Sequence, residues 1–124
     1  MSKIVLVWLS FVLLILCADQ AVAAGQVNAF IYHRFDEDRY PSTNISAEIF
    51  RQQLAYLKDH QYQVLSFSEV VRRLTVGEEL PEKAAALCVD DAFTSFAENG
   101  MPIVREYGYP ITLFVNTDAV GTHG

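Results

Sequence analysis

Ala84-Ala85-Ala86-Leu87-Cys88-Val89-Asp90-Asp91-Ala92-Phe93 is the stretch whose reading decides the fold. Six apolar residues run without interruption into two adjacent acids. Such a run is the signature of a strand covered on both faces, as in parallel sheets, and the abrupt switch places both carboxylates at its C-terminal end. In α/β folds, ligands and reacting groups collect at that end. Neighbouring like charges repel, so a shielded pair needs one Asp protonated, hydrogen-bonded or bound to a cation. Alternatively the pair caps the next helix or sits solvated in a turn.

Upstream of this strand, Val27-Asn28-Ala29-Phe30-Ile31-Tyr32 predicts a first strand ending in His33-Arg34 and a polar turn over residues 36–41. His33 stands at the end of that strand, either lining a site or serving as a hydrogen-bonded structural histidine. Ser46 can cap a helix running to about His60, with Phe50, Leu54 and Leu57 at helical spacing, and His60 is read as solvated at its C-terminal end. Tyr62-Gln63-Val64-Leu65 predicts a second strand. Ser66 and Glu69 have capping-box spacing for a helix whose apolar side is Val70, Val71 and Leu74, stopped at Gly77.

Downstream, Gly100 and Pro102 predict a broken helix over residues 94–107, with a second piece starting near Met101 and ending at Gly108. Ile111-Thr112-Leu113-Phe114-Val115 predicts another buried strand, and an apolar edge there would favour aggregation unless it is covered. Four strands alternating with helices predict a parallel α/β sheet or barrel, with all strand C-termini on one face.

The chain has 124 residues, enough for one domain. Met1-Ser2-Lys3, the apolar run from Ile4 to Leu16 and Ala21-Val22-Ala23 together predict a secretory signal peptide over residues 1–23. The run is shorter than the roughly 20 residues a bilayer span requires, so no membrane span is expected after signal cleavage. Leu16 before Cys17 is too bulky for a lipid-attachment site. Export to the periplasm, cell envelope or exterior leaves Cys88 alone in residues 24–124, a small core residue without a disulfide partner. The net charge is −6, with no basic cluster, which argues against nucleic acid and for a neutral or cationic substrate.

Five pieces occur in a fixed order: Phe30-Ile31-Tyr32-His33-Arg34; Phe50, Leu54 and Leu57; Leu80-Pro81 with Lys83; Val89-Asp90-Asp91-Ala92-Phe93; and Met101-Pro102-Ile103-Val104 leading through Tyr107 to Val115. In that order they resemble the start of a polysaccharide deacetylase, the NodB-homology group of carbohydrate esterase family 4. Within it the likeness is to the exported deacetylases of poly-N-acetylglucosamine. The resemblance covers about Asn28 to Gly124 and implies the first half of a distorted (β/α) barrel, with residues 24–124 as the N-terminal part of a domain about twice as long.

By the same resemblance, Asp90 is the general base and Asp91 a ligand of a divalent metal, zinc first, cobalt or nickel next. The cation relieves the repulsion between the acids and acidifies the water that attacks an N-acetyl group of the polysaccharide. Two departures stand out. Cys88-Val89 replaces the family's Thr-Phe, and Ala92 replaces a glycine, where positive φ or close ligand approach is common. The family's His-x-x-x-His is missing: the histidines are His33, His60 and His123, none four apart. His123 lies in the Gly121-Thr122-His123-Gly124 tail and is read as solvated. The reading from a different class is a non-catalytic exported protein that binds carbohydrate or another chain. A glycoside hydrolase fits poorly, because its carboxylates must flank a bond about 5 Å or more apart.

Overall fold

Strand β5 (Ala84–Asp90) is the axis of the structure. The structure is a computed structural model that describes residues 25–121. The expected signal peptide over residues 1–23, with Cys17 in it, and His123 lie outside the described residues. In chain order the elements are β1 (Val27–Tyr32), β2 (Arg34–Phe35), β3 (Asn44–Ile45), α1 (Ala47–Asp59), β4 (Gln63–Leu65), α2 (Phe67–Val76) and β5. A π-helical turn (Phe96–Gly100), α3 (Met101–Tyr107), β6 (Thr112–Phe114) and a final 3-10 turn (Thr117–Ala119) follow.

All strand pairs are parallel. β1 lies along one edge of β5, from Val27 beside Ala84 to Tyr32 beside Val89. The other edge is shared: β4 pairs with Ala84 to Ala86, and β6 with Cys88 to Asp90. Parallel strands alternating with helices give the expected α/β architecture, and the strand C-termini gather on one face.

The six apolar residues Ala84–Val89 are each at most 2% exposed, as the uninterrupted run predicts. On one face of β5, Ala85, Leu87 and Val89 pack with Tyr32, Phe35, Phe50, Leu54, Leu57, Phe96, Ile103 and Val104. On the other, Ala86 packs with Val70 and Leu80. The first face carries most of the apolar burial, each fully buried large side chain contributing about 1.5–3 kcal/mol.

The helix signals act locally as expected. Ser46 Oγ accepts from the Ile49 amide at 3.2 Å and Ser66 Oγ from the Glu69 amide at 3.2 Å. Gly77 and Gly108 close α2 and α3 in left-handed conformations, φ 71° and 64°. The broken helix is a π-helical turn passing directly into α3, with Pro102 in the first turn of α3, where it has no amide to lose. Gly100 is needed at the junction, since a Cβ there would come within 2.6 Å of Phe96 and 3.0 Å of Phe35.

Two expectations are corrected and one element is added. Val71 and Leu74 are 47% and 60% exposed, so α2 buries Val70 alone. β6 is a three-residue strand with Leu113 and Phe114 about half exposed rather than a buried one, since it pairs only with the end of β5. The polar turn after β1 is flanked by a small parallel pair, Arg34 beside Asn44 and Phe35 beside Ile45, which carries Phe35 fully into the core.

Candidate functional site

Asp90 is the last residue of β5, and the registers of two neighbouring strands determine what surrounds it. Tyr32, the last residue of β1, is level with Val89, so His33, the residue that follows the strand, emerges beside Asp90. On the other side Phe114 of β6 is its direct partner. His33 Nε2 lies 3.7 Å from Asp90 Oδ2, an ion pair when the ring is protonated, with the two side chains 32% and 38% exposed. The structure therefore brings together His33 and Asp90, two of the residues singled out from sequence, at the paired ends of neighbouring strands. His60 is far along the chain from this end. Its backbone amide closes α1, and its ring stacks on Tyr56 at 3.8 Å between centroids.

Strand alternation puts Cys88 and Asp90 on the same face. Burial raises the Cys88 thiol pKa, and the nearby Asp90 charge raises it further, so the sulfur stays a neutral wall of the site. Tyr32, on the opposite face, donates its hydroxyl to Gln53 Oε1 at 2.8 Å, and burial pushes its pKa up.

Asp91 departs from the strand. Its φ is 64° and that of Ala92 is 51°, two consecutive left-handed residues without a glycine. Each left-handed L-residue costs about 1–2 kcal/mol, less for Asp, which this region tolerates better. The discomfort expected of alanine at position 92 is thus realised in the backbone. Asp91 itself is exposed at the strand end.

A network that sequence reading did not identify flanks the turn. The Arg34 guanidinium lies between two rings, 3.5 Å from the centroid of Phe93 and 3.9 Å from that of Tyr40. Its Nη1 donates to Glu37 Oε2 at 2.8 Å. Ser95 Oγ donates to the same Glu37 oxygen at 3.2 Å and accepts the Phe35 amide at 3.2 Å. Asn99 Nδ2 donates to the Phe35 carbonyl at 3.1 Å. The hydrogen bond from Arg34 is the main cause holding the Glu37 carboxyl below its usual range. Arg34 and Phe93 were both visible in sequence, but 59 residues apart nothing there pairs them.

A catalytic divalent site generally takes three protein ligands. Among the described residues no group of three or more His, Cys, Asp or Glu side chains could hold a metal ion. Asp91, Asp90 and His33 do not by themselves fit the metal expected from the resemblance. Nor is any helix among the described residues long and apolar enough to cross a membrane.

No family profile matches the chain. Over 99 residues it is 30% identical to the poly-beta-1,6-N-acetyl-D-glucosamine N-deacetylase of Escherichia coli (strain K12), covering 77% of this chain and 14% of that protein. Over 98 residues it is 29% identical to the enzyme of the same name from Staphylococcus aureus (strain MSSA476), covering 79% of this chain and 33% of that protein. The chain thus spans a third or less of these relatives. Among solved structures, it superposes on the Streptococcus pyogenes deacetylase PplD in complex with acetate with a TM-score of 0.68 and 27% identity, covering 79% of this chain and 46% of that one. IcaB from Ammonifex degensii gives a TM-score of 0.69 and 28% identity over 78% of this chain and 41% of that one. In sequence and in its partial α/β barrel, the chain is similar to polysaccharide deacetylases over part of their length.

Proposed function

We propose that this chain is exported and carries the acid–base half of a centre that removes N-acetyl groups from an N-acetylglucosamine-containing polysaccharide. The observation that supports it best is the placement of Asp90, at the C-terminal end of the central strand with the His33 ring 3.7 Å away. Asp90 acts as general base. Its carboxylate takes a proton from water as the water oxygen adds to the N-acetyl carbonyl carbon. The carbon–nitrogen bond then breaks, the proton passes to the departing nitrogen, and the products are acetate and a free amine on the sugar. His33, when protonated, balances the Asp90 charge from the next strand. The acetate bound by the S. pyogenes neighbour is the small product this reaction releases.

Asp91 is the residue offered to a divalent ion, but the described residues do not complete such a site, and the reaction is written on Asp90. Export rests on the signal-peptide pattern of residues 1–23. The test is acetate release from N-acetylglucosamine oligosaccharides by the full chain, with zinc, cobalt or nickel supplied. Asp90→Asn is expected to lower the rate at least about 100-fold, the range in which general-base catalysis operates. Equal rates for the two proteins, or no release by the unmodified chain, would overturn the proposal.

A further inference from the structure

The two left-handed residues at Asp91 and Ala92 raise the question of what holds them. Both lie between Asp90, paired with Phe114 of β6 and 3.7 Å from the His33 ring, and Phe93, whose ring is covered by the Arg34 guanidinium at 3.5 Å. Arg34 is in turn fixed by Tyr40 on its other side and by Glu37. Ser95 ties the chain just past Phe93 to Glu37 and to the Phe35 amide, so the segment is fastened at two neighbouring points. The guanidinium side chain is 18% exposed and Ser95 5%, so water competes little for either. A flat cation stacked on a ring and hydrogen-bonded at its edge is an arrangement that lysine does not reproduce.

We infer that Arg34 is a positioning residue for the Asp90–Asp91 pair, acting through Phe93 to keep Asp91 and Ala92 left-handed and so to aim both carboxylates. The inference deepens the deacetylase reading and rests on it for its catalytic part. Its structural part stands apart: without the clamp, the Asp91–Ala92 turn relaxes while β5 remains paired.

The experiment follows the backbone Cα shifts of Asp91 and Ala92 by NMR in the full chain, beside those of Ala85, Leu87 and Val89 as controls. In Arg34→Met the Asp91 and Ala92 shifts are expected to move toward averaged values with the controls unchanged. Phe93→Leu should do the same, and the double variant should add nothing further. Arg34→Lys should fall between Arg34→Met and the unmodified chain. In acetate release, Arg34→Met is expected to lower kcat at least tenfold with KM within twofold.

Unchanged Asp91 and Ala92 shifts in both single variants would overturn the inference, as would equal changes at the β5 controls. If Arg34→Met does not fold, Tyr40→Leu removes one ring only and carries the same shift comparison. If the unmodified chain releases no acetate, the deacetylase reading fails, while the shifts still decide whether Arg34 holds the turn.

Discussion

The two faces of β5 are built from unlike residues. One presents Ala85, Leu87 and Val89 to a cluster containing Tyr32, Phe35, Phe50, Leu54 and Phe96. Its rings meet edge-on or tilted, Phe35 to Phe50 at 5.0 Å and Tyr32 to Phe50 at 4.8 Å. The other face presents Ala84, Ala86 and Cys88 before reaching Asp90, and among the described residues only Val70 and Leu80 join Ala86 as buried partners in its cluster. Bulk on the first face supplies cohesion, and small side chains on the second leave room beside the carboxylate. A single strand thus separates stability from chemistry by the period-two alternation of its side chains.

The comparison can be broken most forcefully at Phe50. Phe50→Ala should cost about 3–5 kcal/mol of unfolding free energy, measured by denaturant titration, since a fully buried ring with two aromatic neighbours leaves a cavity. A loss under 1 kcal/mol would mean that the first face is not the cohesive one. On the second face, Ala86→Leu should cost about 1–3 kcal/mol by overpacking against Val70 and Leu80. A stabilised variant would show that this face has spare volume instead.

The smallest effect belongs to neither face. On the outside of α2, Glu69 accepts from Arg72 and Arg73, chiefly Arg72, and these hydrogen bonds hold its pKa down, from 4.5 to about 2. A lowered folded pKa stabilises above the unfolded value and is lost as pH falls through the folded one. The melting-temperature difference between the unmodified chain and Glu69→Gln should therefore be full above pH 4.5 and fade toward pH 2. Because these pairs are solvent-exposed, it should remain small even at neutral pH. A difference that grew on acidification would contradict this assignment.

What could be read from sequence follows the range of each signal. The apolar run of β5, the serine caps of α1 and α2 and the glycine stops are local patterns, and each appears where expected. Asp90 and His33 were legible as strand ends, and their meeting followed from a parallel register that sequence order suggests but does not specify. The β2–β3 pair was not legible, because two-residue strands have no period to detect. Val71 and Leu74 misled because helical spacing marks an apolar stripe without saying whether anything covers it. Arg34 escaped notice because its partners, Tyr40 and Phe93, are brought to it only by the fold.

The shared edge of β5 ties the site to a helix that does not line it. β4 occupies its first half and β6 its second, and the chain leaving β4 turns into α2 at the division between them. There the Phe67 amide donates to Thr112 Oγ1 at 3.1 Å, and the Phe67 ring meets Phe114 edge-on at 5.7 Å. The berth for β6 is therefore complete only once the start of α2 is seated. β6 is thus held by α2 as well as by β5, and a change that unseats Phe67 is expected to loosen the strand beside Asp90.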